Sequence, residues 1–266
     1  MFWVKRNSCE KEKKRTTGRK LTESSKRENS GSRGRSGAVR SELDGRSARK
    51  AHTRDALLGA GRALFAEEPV DAISIDTVVA RAGVAKGSFY NHFADRQALV
   101  EAVVADIRFA LQDTVARVNA GETDAAHRVA RAVCVFFRYA IDEPQGAGAL
   151  ARIHGSHIAV DASFNSPVVA DISLGIAGGR FHIPTLECGV LLIIGVVQVG
   201  MQRILNEPVL ALSIATAQQL TMLILRGLGV EGAEAERIAA QAADAIVRAG
   251  FPDGPAASGG EVRQGA

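Results

Sequence analysis

Apolar positions along this chain recur mostly at helical spacing, and short turn signals separate the runs. The pattern predicts a first ordered helix beginning near Ser47 or Thr53 and ending before Pro69. Leu57, Leu58, Leu64 and Phe65 share one face of it, and the proline ring disfavours helical geometry at Glu68. Ile75, Val78 and Val79 then mark a short helix with Ser74 as its N-cap, and Gly83 sits where the chain must turn. Val84 and Phe89 can pack a second short helix back onto the first, with Phe93 closing it and Asp95 capping the next. That next helix is long: Leu99, Val100, Val103, Val104, Ile107 and Leu111 repeat to about Val118, and Asn119-Ala-Gly121 stops it.

Further helices are expected at about 123–139 and 144–154, then a helix at 157–173 interrupted near Pro167, and a glycine-bearing turn at 175–183. Two long helices at about 184–205 and 208–228 are apolar over more than one face. This predicts burial on several sides and, in a body this small, a subunit interface. A last Ala-rich helix is expected at about 233–248.

Composition fits this all-α pattern, since Ala, Val, Leu and Ile supply most of the apolar side chains and aromatic residues are few. Residues 1–50 hold 16 Lys or Arg against 6 Asp or Glu, whereas the remainder holds 17 against 23. The basic end leads into the short helix pair, as expected of an electrostatic hold on nucleic acid. Residues 1–47 carry too few large apolar residues to offset ordering entropy and are expected to be disordered. They read either as a basic arm that tracks DNA or as an extension adding only non-specific attraction, for instance from a start codon placed too far upstream. No secretory signal is legible, and the uncharged stretch between Glu187 and Arg203 is short for a spanning helix, so no membrane role is expected. Cys9, Cys134 and Cys188 suggest no disulfide framework; the latter two are expected in the core, and a reducing cytoplasm is the simplest setting. No metal or cofactor motif and no catalytic signature stands out. His154-Gly-Ser156-His157 lacks a nucleophile elbow and reads as a polar cluster or part of a ligand pocket.

The helix pair carries the candidate chemistry. A helix, a tight Gly turn and a second helix together make a helix-turn-helix, whose second element enters the DNA major groove. Lys86, Ser88, Tyr90, Asn91 and His92 crowd that second element. Lys86, Ser88, Asn91 and His92 are candidates for base edges or adjacent phosphates, and Ser74, Tyr90 and Arg96 for backbone positioning.

The stretch resembles the DNA-binding motif of the TetR family of bacterial transcriptional repressors. The resemblance runs through Arg54-Asp-Ala-Leu-Leu58, Ala63-Leu-Phe65, Ala82-Gly-Val84, Lys86-Gly-Ser-Phe-Tyr-Asn-His-Phe93 and Asp95-Arg-Gln-Ala-Leu99, covering roughly 50 residues. Three positions depart from the pattern: Pro69 replaces a usual Gly, Val79 a usual Ala, and Ala85 a usual Ser or Thr. The last removes an N-cap, at a cost of about 1 kcal/mol.

The resemblance implies a three-helix head at residues 48–97 and a helical effector-binding and dimerisation body at 98–250, followed by a flexible tail at 251–266. It also implies a cytoplasmic homodimer on a pseudo-palindromic double-stranded operator, released by a small-molecule effector, with no cofactor and no enzymatic activity. A mostly apolar pocket is expected among the helices at about 99–180, with Phe136, Tyr139, His154, His157 and Phe164 as candidate ligand contacts. Two other readings stay open. One is a constitutive or architectural DNA-binding protein, and the other is an enzyme or interaction protein that merely contains a helix pair.

Overall fold

The computed structural model describes residues 32–154 and 165–251, the side chains of 32–44, 46 and 154 excepted. Among the described residues every regular element is helical: α1 (Ser32–Glu67), α2 (Ile75–Ala82), α3 (Lys86–Tyr90), α4 (Arg96–Val118), α5 (Ala125–Asp142), α6 (Pro144–His154), α7 (Ser166–Ala177), α8 (Leu186–Asn206), α9 (Leu210–Gly227) and α10 (Gly232–Ala242). A 3₁₀ turn, Val70–Ala72, links α1 to α2. The chain divides into two units at residue 48. The described part of the first is helical, and apart from the start of α1 everything below concerns the second.

Helix α1 begins at Ser32, earlier than Ser47, which corrects the expectation of disorder for residues 32–47. Few of those residues can be buried usefully, but none is proline, and extending an existing helix costs far less than nucleating one. The disorder expected of residues 1–31 and of most of the tail at 251–266 lies outside the described residues.

The head follows from local sequence chemistry. Leu57, Leu58, Leu64 and Phe65 of α1 are buried against Val78, Val79 and Phe89. The Ser74 hydroxyl accepts the Thr77 N–H at 3.1 Å and caps α2. Gly83 closes α2 in the left-handed region at φ +66°, and the Val84 N–H reaches back to the Val79 carbonyl at 3.1 Å. Only glycine takes that conformation without strain. Asp95 Oδ1 accepts the Ala98 N–H at 2.8 Å and starts α4. Helix α3 is shorter than the expected run to Phe93: it spans five residues and ends at Tyr90, leaving Asn91 and His92 in the turn that follows. No helix that short persists alone. Burial of Phe89, worth about 3 kcal/mol, holds it in place.

The centre of the body is α5, which packs against α4, α6, α7, α8, α9 and α10. Its small residues Ala125, Ala126, Ala130 and Ala140 let neighbours approach, while Val129, Val133 and Phe137 fill the space between. Asp124 caps it by accepting the His127 N–H at 3.0 Å. Arg180, in the turn after α7, donates to Asp124 at 2.8 Å and to both oxygens of Glu234 at 2.9 and 2.8 Å, tying the starts of α5 and α10 together. Helix α7 starts beside Pro167, because proline suits a first helical turn, and the part of the expected helix at 157–164 lies outside the described residues. The chain then ends α10 in a π-helical segment, Ala243–Arg248, where Arg138 donates to the Val247 carbonyl at 2.9 Å.

Helix α8 is, among the described residues, the one helix long and apolar enough to cross a membrane by length and composition. It nevertheless buries Val190, Ile193, Val197, Met201 and Ile204 within the fold. Helices α8 and α9 also leave Leu191, Val199, Leu212 and Leu223 exposed. Cys134 lies in the core as expected, its thiol 3.7 Å from the Thr221 hydroxyl and pushed up to about 12 by burial. Cys188 does not: it stands exposed on the first turn of α8.

Candidate nucleic-acid interface and ligand cavity

The outer surface of α2 and α3 gathers most of the residues expected to meet DNA. Lys86 forms an ion pair with Asp76 at 2.8 Å, and this bond raises the lysine pKa. Both side chains are largely exposed, so the pair is weak and easily exchanged for a phosphate. Ser74 is exposed at the start of the same α2 turn, its hydroxyl 2.9 Å from that of Thr77. Tyr90 is 54% exposed and packs edge-on against buried Phe89, which points its ring outward from the core. Asn91 is exposed, while Ser88 and His92 are half-buried.

Arg96, expected to position the DNA backbone, has its own partners within the head. Its guanidinium donates to the Asp71 carbonyl at 2.9 Å, the Ile73 carbonyl at 3.3 Å and the Asp71 carboxylate at 3.0 Å. It braces the link between α1 and α2 against the start of α4.

Two cations escaped the sequence reading. Lys50 and Arg54 of α1 lie close enough to His92 to lower its pKa, after the larger effect of burial. Arg54 also stacks over the Phe93 ring, 4.8 Å from its centroid. Their four-residue spacing, which puts both on one helix face, was the available signal.

The body holds a cavity of about 640 Å³. Its walls are the second half of α4, α5, α6, the start of α7 and α8. Phe136 lines it beside Val129, Val133, Val197 and Met201. The apolar faces of α8 read as core and subunit interface, so its periodicity alone gives no sign of its share in the cavity wall. Tyr139 is not among the lining residues. It is largely buried elsewhere, near Arg62, Asp106 and Glu143, and burial raises its pKa. Its hydroxyl lies where Gly146 would carry a Cβ, so α6 can approach only because residue 146 has no side chain. His154 ends α6; its side chain, with His157 and Phe164, lies outside the described residues.

One corner of the cavity is polar. The Arg128 Nε donates to the buried Asp171 carboxylate at 2.7 Å. Asn119, 3% exposed, donates its amide N–H to the Arg128 carbonyl at 3.1 Å. Arg108 stands on the α4 wall, its pKa lowered by burial. Among the described residues no cluster of three or more His, Cys, Asp or Glu is disposed to hold a metal.

Two of the joints between head and body lie beside the cavity. Helix α4 is one, with Leu99 and Val103 in the head's core and Arg108 to Ala116 on the cavity wall. Helix α6 is the other: Arg152 donates to the Ala66 carbonyl near the end of α1 at 2.9 Å, between the cavity residues Ala151 and Ile153 on one side and the head on the other.

Two stretches of the chain match known protein families. Residues 57–103 match the family model described as bacterial regulatory proteins, tetR family, and residues 124–241 match the tetracyclin repressor-like C-terminal domain. No curated protein matches the chain. Among solved structures, RolR in complex with resorcinol is similar at 25% identity, with 73% of this chain and 96% of that one covered and a TM-score of 0.50. A gamma-butyrolactone receptor, an ArpA-like protein, is similar at 16% identity, covering 74% and 99% with a TM-score of 0.58. A tetR-family regulatory protein from Rhodococcus RHA1 is similar at 17% identity, covering 67% and 98% with a TM-score of 0.55. The latter two likenesses are of fold.

Proposed function

The chain belongs to the TetR family of bacterial regulatory proteins, and from that premise we propose a homodimeric operator-binding repressor that a small molecule in the α4–α8 cavity releases from DNA. The observation that carries this reading is the course of α4. It starts at Arg96, just beyond the helix-turn-helix, and ends beside Asn119 in the cavity wall. Whatever fills the cavity therefore presses on the element that aims the recognition helix.

In this reading Lys86 exchanges Asp76 for a phosphate, Ser88 and Asn91 reach base edges, and Ser74, Tyr90, Lys50 and Arg54 hold the backbone. Recognition helices of two protomers enter successive major grooves of a pseudo-palindromic site. The exposed apolar residues of α8 and α9 supply the dimer contact, as a four-helix packing with the symmetry mate. The cytoplasm is the compartment where such a protein meets its operator. RolR, similar over nearly its whole length, was solved with resorcinol bound, which supports a small organic effector here.

Release needs an effector that binds the DNA-incompetent arrangement more tightly. A hundredfold loss of operator affinity requires about 2.7 kcal/mol of coupling. Helix α4 shares that coupling with the Arg152 bond from α6, so it is not the sole rigid link between cavity and head. The test is to select genomic fragments on the purified protein and titrate them with candidate effectors. A selected fragment that is lost on effector addition supports the reading, and binding that no compound alters would instead favour a constitutive DNA-binding protein.

A further inference from the structure

We infer that the effector presents an uncharged hydrogen-bond donor, a hydroxyl or an N–H, to the side-chain oxygen of Asn119. This rests on the reading that the cavity is the effector site, and it names the chemistry read there. Asn119 lines the cavity and is 3% exposed. Its amide orientation is fixed, because Nδ2 donates to the Arg128 carbonyl at 3.1 Å, and the flipped amide would set two oxygens against each other. Among the described residues nothing donates to its Oδ1. A buried acceptor without a donor is costly, and such groups are kept where a ligand or water completes them.

The neighbouring cation does not complete it. Arg128 gives its Nε to Asp171 at 2.7 Å, and a terminal nitrogen faces the Glu122 and Asn119 carbonyls at 3.3 and 3.5 Å. Its charge is matched by the buried Asp171 carboxylate. This corner therefore offers an acceptor beside a neutralised ion pair, which suits a neutral donor better than a carboxylate. Val129, Val133, Val197 and Met201 around it call for an apolar body, and about 640 Å³ accommodates a drug-sized molecule. A phenol or alcohol with a hydrocarbon body meets both demands.

Calorimetry on the full chain with hexylresorcinol and its dimethyl ether tests this, because the pair differs in donors and keeps the same body. The wild type should prefer the phenol by about tenfold or more. Asn119→Leu should bind the ether as the wild type does, which checks that the cavity is intact, while its preference for the phenol falls to within about threefold. Equal affinities in the wild type would overturn the inference, as would a preference that survives Asn119→Leu or the absence of binding by either compound. Operator titration with the same compounds separates the two readings. An Asn119-dependent phenol preference with unchanged operator affinity would leave the donor inference standing and sink the effector role. An ether that binds as tightly and releases DNA would do the reverse.

Discussion

At the scale of single residues, partners already present in the fold decide what each candidate can do. Asn91 is exposed at the end of α3 and has no part in the core, so Asn91→Ala should weaken operator binding while leaving non-specific binding and folding unchanged. A discrimination loss of about 1–3 kcal/mol is expected in competitive titrations against unrelated DNA. Arg96→Ala should behave oppositely. It removes bonds to two backbone carbonyls and a carboxylate, so thermal unfolding should shift by about 1 kcal/mol and all DNA binding should suffer through the loosened head. His92 adds a pH handle. Burial, followed by Lys50 and Arg54, lowers its pKa from 6.5, so the unfolded chain binds its proton more readily than the folded one. Its contribution to stability is complete above about pH 6.5 and is lost as pH falls through the lower folded value. NMR titration should place its midpoint below 6.5, and Lys50→Ala should move the midpoint upward; a midpoint unmoved by that change would remove Lys50 from the DNA face. Ser74, Gly83 and Asp95 were legible in the sequence because caps and turns depend on chemistry within a few residues. The brace of Arg96 and the place of Tyr139 were not, since each depends on residues brought together from distant parts of the chain.

Between elements, sequence periodicity said which helices exist better than what each one faces. Helices α4, α5, α6, α8, α9 and α10 stand close to where the apolar spacing puts them. The central place of α5 was not legible, because apolar spacing marks only one face of it and the pairing of Arg128 and Arg131 with Asp171 and Glu122 depends on the fold. The hydrogen bond from α6 to the end of α1 was equally invisible, since one arginine and one carbonyl leave no periodic signal. It yields a direct expectation. Arg152→Ala should leave ligand affinity in the cavity unchanged, while operator affinity responds less to the ligand, by about threefold to tenfold. Calorimetry and operator titration on the same variant measure the two quantities. A full response would return the whole coupling to α4. Helices α8 and α9 carry their own test. Leu212→Asp combined with Leu223→Asp places charge on exposed apolar positions and should give a folded monomer with lost operator affinity, read by sedimentation and circular dichroism. A dimer that tolerates both charges would move the interface elsewhere.

For the whole molecule, charge is divided as the work is. Residues 1–31 hold ten Lys or Arg against four Asp or Glu, whereas residues 51–266 are net acidic. Removing 1–31 should lower DNA affinity at low salt and flatten its salt dependence without changing the preferred sequence. Sequence-selective DNA binding by the α2–α3 face underlies the proposed regulation. Its most direct measurement is a genomic fragment selection run in parallel on the wild-type chain and on Asn91→Ala at near-physiological salt. The wild type should enrich a small set of fragments sharing an inverted repeat with half-sites about one helical turn apart, and Asn91→Ala should lose them. Equal enrichment by both chains, or fragments without a shared repeat, would contradict it.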